Sequence, residues 1–346
     1  MKILLVASNM VHIKNFHLPY VKAFNDAGHD VRVMASAEGA DFNIPFKKKA
    51  FSFRNFRLSF KIRKILKREK FDAVLMHTTL AAFWTRFAMI GLKNRPITVN
   101  TVHGYLFSKD SSMLKRKAYL FAEKLMRKRT DYILVMNQED LEIAKGNKLC
   151  KKEVHFINGM GVRLERVEGF EKESYDGADT LRLVYVGEIS KRKNQLFLVK
   201  ALEYLPNATL TLVGDGDQRG VIEDYAIEHG VLDRLEITGF TKNVGAHICN
   251  ADVYTSASTI EGLPFNIIEA MATKIPVLAS DIKGQNDLLP GDCLYELNNM
   301  NAFVEAIKSI SLAPRSYDIE KYKVENVLSE NVRLYLDLIK NEQIGG

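Results

Sequence analysis

Short apolar runs recur along this 346-residue chain at intervals long enough to hold a helix, and this alternation constrains the fold most. Runs that are apolar on both sides are typical of parallel strands covered by helices on both faces of a sheet. Strands alternating with helices predict a doubly wound α/β domain. In the first half, the predicted strands are Lys2–Ala7, Asp30–Ala35, Phe71–Met76, Ile97–Val102, Tyr132–Met136 and Val154–Ile157.

The same pattern restarts after Glu165–Thr180, a polar, acidic stretch with two glycines that is typical of a linker. We therefore predict two α/β domains, 1–165 and 166–325, with a cleft between them, and a helix over 326–346 that returns to the first domain. The later predicted strands are Leu181–Val186, Thr209–Val213, Arg234–Thr238, Val253–Ser256, Pro276–Ala279 and Cys293–Glu296, and helical patterns cover Asn301–Ser311 and Ser329–Glu342.

The net charge of +7 divides unequally between the two halves. Residues 1–165 hold 31 Lys or Arg and 14 Asp or Glu, so 31 − 14 = +17, whereas residues 166–346 hold 18 and 28, so 18 − 28 = −10. Halves of opposite sign indicate different partners, and the basic half favours an anionic surface.

The three cysteines are widely spaced and unpaired in sequence, which indicates neither a disulfide framework nor a zinc site. The first apolar run is too short for a signal peptide, and no run approaches the ~18 residues of a spanning helix. These features predict a cytoplasmic protein.

The sharpest motif lies where a predicted strand gives way to a helix. Glu261 and Glu269 stand eight residues apart around this helix start, whose N–H groups suit a diphosphate. A carboxylate accepts two donors at once, so each glutamate suits a pair of sugar hydroxyls. The alternative is a plain helix start with two solvated glutamates. The residues expected around the diphosphate are Gly262, Leu263, Pro264, Phe265 and Asn266.

The pattern Glu-Gly-x-Pro-x-x-x-x-Glu-Ala resembles the E-x7-E signature of the retaining GT-B glycosyltransferases of family 4. This resemblance implies two Rossmann-like domains, the first binding the acceptor and the second the nucleotide sugar. It implies that Glu261 contacts the donor sugar and Glu269 the ribose. It also implies retention at the anomeric carbon, with no metal and no cofactor beyond the nucleotide-sugar substrate.

A second stretch, Val186–Asn194, resembles a strand-end segment of the same family. The family's diphosphate-contacting lysine matches Lys193, and Gly187 stands at the strand end. Glu188 replaces the family's arginine, and Arg192 or Lys191 are candidates to take its place. A solvated basic loop is the alternative.

A glycine turn, Gly214-Asp215-Gly216, matches the family's next strand end. A dinucleotide fingerprint is disfavoured because its third glycine is misplaced. The Asp215-x-Asp217 spacing resembles a metal-binding motif of the other glycosyltransferase fold, and we regard it as coincidence. Phe240 lies where the family holds the nucleobase, and contact with the base and packing in the core are equally open.

In the first half, His103 and Gly104 follow a predicted strand and resemble the His-Gly segment of bacterial capsule and exopolysaccharide members of the family. In those relatives the histidine contacts the donor sugar, so His103 is the catalytic candidate beside Glu261; a structural histidine is the alternative. Asn9, His12, Gly104 and Asn137 are further candidates on the acceptor side.

Two stretches concentrate basic charge: Lys47–Lys70 has 11 Lys or Arg and Lys109–Arg129 has eight. Each such residue is worth about 1 kcal/mol near an anionic leaflet, which predicts peripheral association with the cytoplasmic membrane. Nucleic acid is disfavoured because no recognised binding motif is present. The apolar positions at helical spacing, expected to pack in the core, are Ile62, Ile65, Leu66, Leu114, Ala118, Phe121 and Leu125.

Together the motifs predict a retaining transferase that moves a sugar from a nucleotide-diphosphate donor, a UDP-sugar, to a lipid-linked saccharide in bacterial surface polysaccharide synthesis. One alternative is another GT-B enzyme, a nucleotide-sugar 2-epimerase or an inverting transferase. The other is a catalytically inactive protein that binds membranes or polyanions.

Overall fold

The structure is a computed structural model that describes residues 1–47, 52–170 and 180–344, with side chains to residue 341. The chain divides into two compact units, Met1–Gly161 with Val324–Gly346, and Val162–Lys323. The first unit therefore contains both ends of the described chain. Residues 171–179, which make up most of the predicted linker, lie outside the described part.

The first unit is built on a seven-stranded sheet in the order β3-β2-β1-β4-β5-β6-β7, in which the described strand pairs are all parallel. Its strands are β1 (Lys2–Val6), β2 (Asp30–Ala35), β3 (Phe42–Asn43), β4 (Ala73–His77), β5 (Ile97–Thr101), β6 (Tyr132–Val135) and β7 (Val154–Phe156). The strand order reverses between β1 and β4, and ligands of such sheets bind outside the carboxyl ends of the strands at that reversal.

Helices cover the strands of this sheet. They are α1 (Met10–His12), α2 (Leu18–Asp26), α3 (Phe53–Glu69), α4 (Thr79–Ala88), α5 (Met113–Met126) and α6 (Gln138–Gly146), and a π-helix, Ile13–His17, joins α1 to α2. Ile62, Ile65 and Leu66 of α3 pack on the sheet, as predicted.

The second unit is built on a six-stranded parallel sheet in the order β10-β9-β8-β11-β12-β13. Its strands are β8 (Leu181–Val186), β9 (Ala208–Val213), β10 (Leu235–Ile237), β11 (Val253–Ser256), β12 (Val277–Ser280) and β13 (Leu294–Tyr295). Its helices are α7 (Gln195–Ala201), α8 (Arg219–Glu228), α9 (Val244–Cys249), α10 (Phe265–Ala272) and α11 (Met300–Ser309).

Alternate residues of β8 enter opposite cores of the second unit. Leu183 and Tyr185 belong to one apolar cluster, whereas Val184 and Val186 belong to the other. This period of two is the geometry of a strand, and it explains why the run is apolar throughout. Here the strand order reverses between β8 and β11, so their carboxyl ends mark the expected ligand position.

The last helix, α12 (Val324–Ile344), belongs to the first unit. The Tyr335 hydroxyl lies 2.6 Å from the Thr101 hydroxyl at the end of β5. Asn331 donates to the Tyr20 hydroxyl and to the Gly159 carbonyl, at 2.9 and 2.8 Å. A buried polar side chain held by two acceptors specifies one docking position for the helix.

All twelve predicted strands are confirmed, with ends shifted by no more than two residues. The two-residue β3 is missing from the prediction because Phe42–Asn43 is too short to show a pattern.

The linker prediction is wrong for residues 165–170. Val167 lies in the second unit's core, and the Arg166 carbonyl accepts a hydrogen bond from the Gly245 N–H at 3.2 Å. The apolar positions of this stretch are too few to show a period, so packing alone determines its place.

Candidate functional site

The carboxyl ends of β8 and β9 hold two glycines whose backbones touch. Gly187 and Gly214 have φ angles of +145° and +149°, and a Cβ atom on Gly214 would lie 2.1 Å from the Gly187 carbonyl oxygen. A Cβ on Gly216 would lie 2.0 Å from the Ile189 carbonyl oxygen. Only glycine permits such backbone contact. The glycines of this turn are therefore explained by the packing of two loops, without a dinucleotide.

Glu261 follows β11 and is 8% exposed, yet it is fully paired. The Lys193 ammonium donates to Oε1 at 2.6 Å, and the Arg192 guanidinium donates to Oε2 at 3.0 Å. Burial alone would raise the pKa of Glu261, but these two cations outweigh it and lower that pKa. The site thus holds an ionised carboxylate between two positive charges.

Arg192 is the cation that accompanies Lys193. Its guanidinium also donates to the Ile260 carbonyl at 3.1 Å, and its own carbonyl accepts from the Thr259 N–H at 2.9 Å. The loop after β8 and the loop after β11 are therefore held together at this arginine. Of the two candidates to replace the family's arginine, Arg192 lies in the cluster and Lys191 is exposed.

A buried polar network supports the loop that carries Glu261. The Ser280 hydroxyl donates to the Ser258 carbonyl at 2.6 Å, and Gln285 donates to the Ser256 hydroxyl at 2.8 Å. The Gln285 Oε1 also lies 3.0 Å from the Ser280 hydroxyl, so it shares the Ser280 proton with the Ser258 carbonyl. Sequence reasoning missed these residues, because isolated serines and a glutamine carry no pattern until the fold brings them together.

The helix after this loop, α10, begins at Phe265. Pro264 is its N-cap, and the N–H groups of Ile267 and Ile268 donate to the Pro264 carbonyl. The Asn266 side chain donates to the Val186 carbonyl at 2.8 Å, which ties the helix start to the end of β8. Leu263 and Phe265 pack against the core and Gly262 is buried, so this segment is fixed at the strand ends.

Glu269 is 5% exposed and forms a bidentate ion pair with Arg166. The guanidinium donates from Nε and Nη2 to the two carboxylate oxygens, each at 2.6 Å. Burial raises the pKa of Glu269, and the half-exposed arginine offsets this only in part. The plain alternative of two solvated glutamates is wrong, since both carboxylates are buried and paired. Arg166 was missed because it lies in the stretch interpreted as a linker.

Phe240 is 88% exposed. The alternative that it packs in the core is wrong, because most of its surface is exposed to solvent. An exposed aromatic ring with no packing role is available to a ligand.

The first unit brings together four histidines at the carboxyl ends of β1, β4 and β5. His77 ends β4, and its Nδ1 lies 3.1 Å from Nε2 of His103, two residues after β5. Gly104 follows with a φ of +109°, which turns the chain away from the strand. Sequence reasoning selected His103 through its resemblance to a His-Gly segment but missed His77, which follows the predicted strand Phe71–Met76 without such a motif.

His12 and His17 complete this group from α1 and the π-helix. The His12 ring centroid lies 4.8 Å from that of His103, and the His17 ring lies 3.9 Å from that of His77. The Asn9 side chain accepts from the His12 N–H at 2.8 Å, so Asn9 caps α1 and positions His12. His17 was also missed; its only sequence signal is the spacing of five from His12.

Asn137 does not lie at a surface, contrary to its expected place on the acceptor side. It is fully buried, caps α6 through the Asp140 N–H at 2.8 Å and donates to the Asp140 carboxylate at 2.9 Å. That carboxylate accepts from the Tyr105 N–H at 3.0 Å. Asn137 and Asp140 therefore anchor the loop that carries His103.

The basic helices expose large apolar side chains. On α5, Leu114 is 81% exposed and Phe121 is 70% exposed, so the expectation that this stripe packs in the core is wrong. Phe53 and Phe60 of α3 are also exposed. Residues 48–51, within the first basic stretch, lie outside the described part. No helix among the described residues is long and apolar enough to span a membrane.

Known proteins resemble both units. The chain matches the family Glycosyl transferase 4-like over residues 2–137 and the family Glycosyl transferases group 1 over residues 180–311. Putative glycosyltransferase EpsD of Bacillus subtilis is 28% identical over 336 residues, which cover 90% of this chain and 88% of that protein.

A second relative is UDP-Gal:alpha-D-GlcNAc-diphosphoundecaprenol alpha-1,3-galactosyltransferase of Escherichia coli, 28% identical over 78% of this chain and 72% of that protein. Sucrose-phosphate synthase of Thermosynechococcus elongatus shares the fold, with a TM-score of 0.77 at 17% identity, covering 99% of this chain and 100% of that chain. The two parallel sheets agree with these matches, and the chain belongs to the GT-B glycosyltransferases of family 4.

Proposed function

We propose that this glycosyltransferase takes its sugar from a nucleoside-diphosphate donor of the UDP class and transfers it, with retention, to a lipid-linked saccharide. The observation that carries the proposal is the buried Glu261 carboxylate between Lys193 and Arg192, at the carboxyl ends of β8 and β11. Two cations and a carboxylate at a strand-order reversal suit a ligand with both a diphosphate and hydroxyl groups.

The cations would bind the diphosphate once the donor enters. Lys193 and Arg192 now donate to Glu261, and phosphate oxygens compete for the same N–H groups. Their transfer to the phosphate frees the Glu261 oxygens to accept from sugar hydroxyls. Negative charge collects on the diphosphate as the glycosidic bond breaks, so fixed cations there lower the barrier. The proposed transfer uses no metal ion, so Asp215 and Asp217 have no role as metal ligands in it.

The proposed transfer conserves the anomeric configuration without a protein nucleophile. The bond from the anomeric carbon to the diphosphate oxygen breaks, and the acceptor oxygen bonds to the same face of that carbon. The acceptor's proton passes to the leaving diphosphate. The resemblance to retaining family members supports this route. In the first unit, His103 would contact the donor sugar; burial and the neighbouring His12 lower its pKa, so it acts as a neutral hydrogen-bonding group.

The acceptor class is supported by two independent features. The Escherichia coli relative is named for a diphosphoundecaprenol-linked acceptor. The first unit also exposes apolar side chains beside lysines and arginines on α5, which fits contact with an anionic membrane surface where such an acceptor resides. We propose that this face of the first unit docks at the membrane.

The decisive experiment measures sugar transfer from UDP-sugars to a synthetic prenyl-diphosphate saccharide. Glu261→Gln should lower kcat/KM by roughly 10²–10³-fold, because the amide has one acceptor oxygen in place of two and no negative charge to balance both cations. Arg163→Gln, on an exposed residue of the same unit, serves as the control and should leave transfer unchanged. Transfer retained in Glu261→Gln would refute the site assignment.

Two further measurements separate the alternatives. NMR of the product's anomeric proton distinguishes retention from inversion. Donor incubated without acceptor identifies a 2-epimerase, since only that enzyme changes the sugar without transferring it. A wild-type protein that binds anionic vesicles but neither binds a nucleotide nor transfers sugar would be the inactive binding protein.

A further inference from the structure

Two buried hydroxyl groups of the second unit have no hydrogen-bond partner, and both lie at the end of β8. They are the Tyr185 hydroxyl and the Ser190 Oγ, and no other buried side-chain nitrogen or oxygen among the described residues of this unit lacks a partner. Native proteins pair nearly all buried polar groups, because an unpaired group loses its hydrogen bonds to water without replacement. Two exceptions so close in the chain call for an explanation at this place in the fold.

The Tyr185 hydroxyl points toward the carboxyl end of β8. The side chain is fully buried and its ring packs in the apolar cluster that contains Leu183 and Phe197. The hydroxyl lies 2.8 Å from the position that a Cβ atom of Gly187 would take, and the three atoms nearest to that position all belong to Tyr185. A side chain at position 187 would collide with this hydroxyl, so the glycine leaves the strand end beside it free of side-chain atoms.

Ser190 lies in the loop between β8 and α7, which also carries both cations of the proposed diphosphate site. Its carbonyl accepts from the Lys193 N–H at 3.0 Å, and its own N–H donates to the Gln195 side chain at 3.2 Å. The backbone of Ser190 is therefore fixed within the turn that positions Lys193, whereas its hydroxyl has no partner. Arg192 of the same turn pairs with Glu261. The unpaired hydroxyl and the two cations thus share one turn.

The groups around the two hydroxyls select a ligand that accepts hydrogen bonds. Burial raises the pKa of Tyr185 well above its usual value, and the nearby charges of Glu261 and Arg192 also act on it. The Tyr185 hydroxyl therefore keeps its proton and can donate, as the Ser190 hydroxyl can. Arg192 and Lys193 are donors only. Two O–H donors and two cations match the oxygens of a diphosphate, which accept charge-assisted hydrogen bonds.

We propose that the Tyr185 and Ser190 hydroxyls are two further donor-binding groups, which donate hydrogen bonds to the diphosphate of the nucleotide sugar. This inference deepens the proposed function and rests on its diphosphate site. In this structure both hydroxyl oxygens are closed to solvent, while Lys193 and Arg192 donate to Glu261. Transfer of the two cations to the phosphates opens the loop after β8, and the hydroxyls then reach the phosphate oxygens.

The unpaired hydroxyls oppose the stability of the free protein and favour its complex with the donor. Without a partner they destabilise the second unit, and a bound diphosphate supplies the missing acceptors. Unfavourable groups of this kind persist at functional sites, where binding compensates for the lost stability. Removal of either oxygen should therefore stabilise the free protein and weaken the complex, two effects of opposite sign.

The test removes one oxygen at a time from the full chain. Tyr185→Phe and Ser190→Ala should each raise the Tm of the ligand-free protein by about 2 °C or more, since an unsatisfied buried group is lost. Each should weaken UDP binding about tenfold, because a hydrogen bond to a charged phosphate is lost. Differential scanning fluorimetry measures the Tm, and isothermal titration calorimetry measures the Kd of UDP.

Thr85→Val is the matched control. Thr85 lies on α4 of the first unit, and its buried Oγ1 also has no hydrogen-bond partner. This substitution should raise the Tm in the same way and leave UDP binding unchanged. It separates the general effect of removing an unpaired hydroxyl from an effect on the donor site.

UDP binding as tight as that of the wild type in either variant would overturn the assignment of that hydroxyl. A lower Tm of a ligand-free variant would do the same, because the hydroxyl would then have a partner before the donor binds. Equal weakening of UDP binding by Thr85→Val would show that the effect is not local to the site. A wild type that binds no UDP would refute the proposed function together with this inference, whereas undiminished binding by the variants refutes the inference alone.

Discussion

At the scale of single residues, two buried carboxylates of the second unit respond to burial in opposite ways. Burial raises the pKa of both Glu261 and Glu269, but two cations reverse the direction at Glu261. Glu269 has one partner, the half-exposed Arg166, and its pKa stays raised. The number of nearby charges thus decides which carboxylate holds its negative charge most firmly.

Asp131 gives a prediction for acid stability. It pairs with Arg95 at 2.6 and 2.7 Å and accepts from the Thr98 N–H at 3.0 Å. Burial opposes ionisation, but these partners outweigh it and lower the pKa of Asp131. Its stabilising contribution is therefore complete above the unfolded pKa, near 4, and is lost as the pH falls through the lower folded value.

The substitution Asp131→Asn should reduce the free energy of unfolding by about 2 kcal/mol at neutral pH. The difference from the wild type should shrink as the pH falls below about 4, where the unfolded carboxylate begins to protonate, until the native carboxylate also protonates at its lower pKa. Urea unfolding at several pH values measures this. Asp26→Asn, on an exposed i,i+4 pair with Lys22, is the control with little effect. A stability difference independent of pH would show that the ionised carboxylate of Asp131 does not provide the stabilisation.

At the scale of elements, the interlocked turns after β8 and β9 make a specific demand on residue type. Gly214→Ala places a Cβ 2.1 Å from a backbone oxygen, at a φ of +149°. Gly220, in the helix α8, has nothing within 4 Å of its own Cβ position.

We expect Gly214→Ala to lower the stability of the second unit by about 2 kcal/mol or more and to weaken donor binding, since it displaces Gly187. Gly220→Ala should raise stability by about 0.5–1 kcal/mol, because alanine is the better helix former. Thermal unfolding of both variants gives the comparison. Equal effects from the two substitutions would show that the backbone contact has no energetic weight.

A buried ion pair joins two helices of the first unit. Arg86 of α4 is fully buried and donates to both oxygens of Glu123 on α5, at 2.7 and 3.1 Å, and to Thr130 at 3.2 Å. Removing one partner leaves an unpaired buried charge.

Arg86→Met should therefore cost about 3–5 kcal/mol. The double variant Arg86→Met with Glu123→Leu should recover most of this loss, since no charge is left behind. Unfolding of the wild type, both single variants and the double variant completes a double-mutant cycle. A double variant as unstable as the single one would show that packing around Arg86 matters more than charge.

At the scale of the whole molecule, charge separates along the chain: +17 in residues 1–165 and −10 in residues 166–346 by the counts above. The basic part also carries the exposed Leu114 and Phe121 of α5. Basic and apolar side chains on one helix are the combination that binds membrane surfaces, whereas basic charge alone suits any polyanion.

Sedimentation with vesicles tests this face. Wild-type protein should bind anionic vesicles and be released as salt rises, because screening weakens the attraction. Leu114→Glu with Phe121→Glu should weaken binding by about tenfold or more through lost apolar burial and repulsion from the anionic lipids. Ile227→Glu, on an exposed apolar residue of α8 in the second unit, is the matched control. Equal weakening by the α5 double variant and by Ile227→Glu would contradict the proposal that α5 carries the membrane-binding face.

Most elements of the fold could be predicted from the sequence alone, for a physical reason. A strand covered on both faces must be apolar throughout, so the sequence alone indicates β1, β8 and the strands beside them. Glu261 and Glu269 were selected by their spacing around a helix start, whereas Lys193 and His103 were selected by their resemblance to the family's motifs.

Contacts between distant segments carry no such local signal. The pairing of Arg166 with Glu269, the network around Gln285, and the gathering of His17 and His77 beside His103 join residues that are far apart in the chain. Exposure is equally non-local, since α5 has the apolar spacing of a buried helix yet leaves Leu114 and Phe121 exposed. Local patterns determine which elements form, whereas partners and burial depend on how those elements pack.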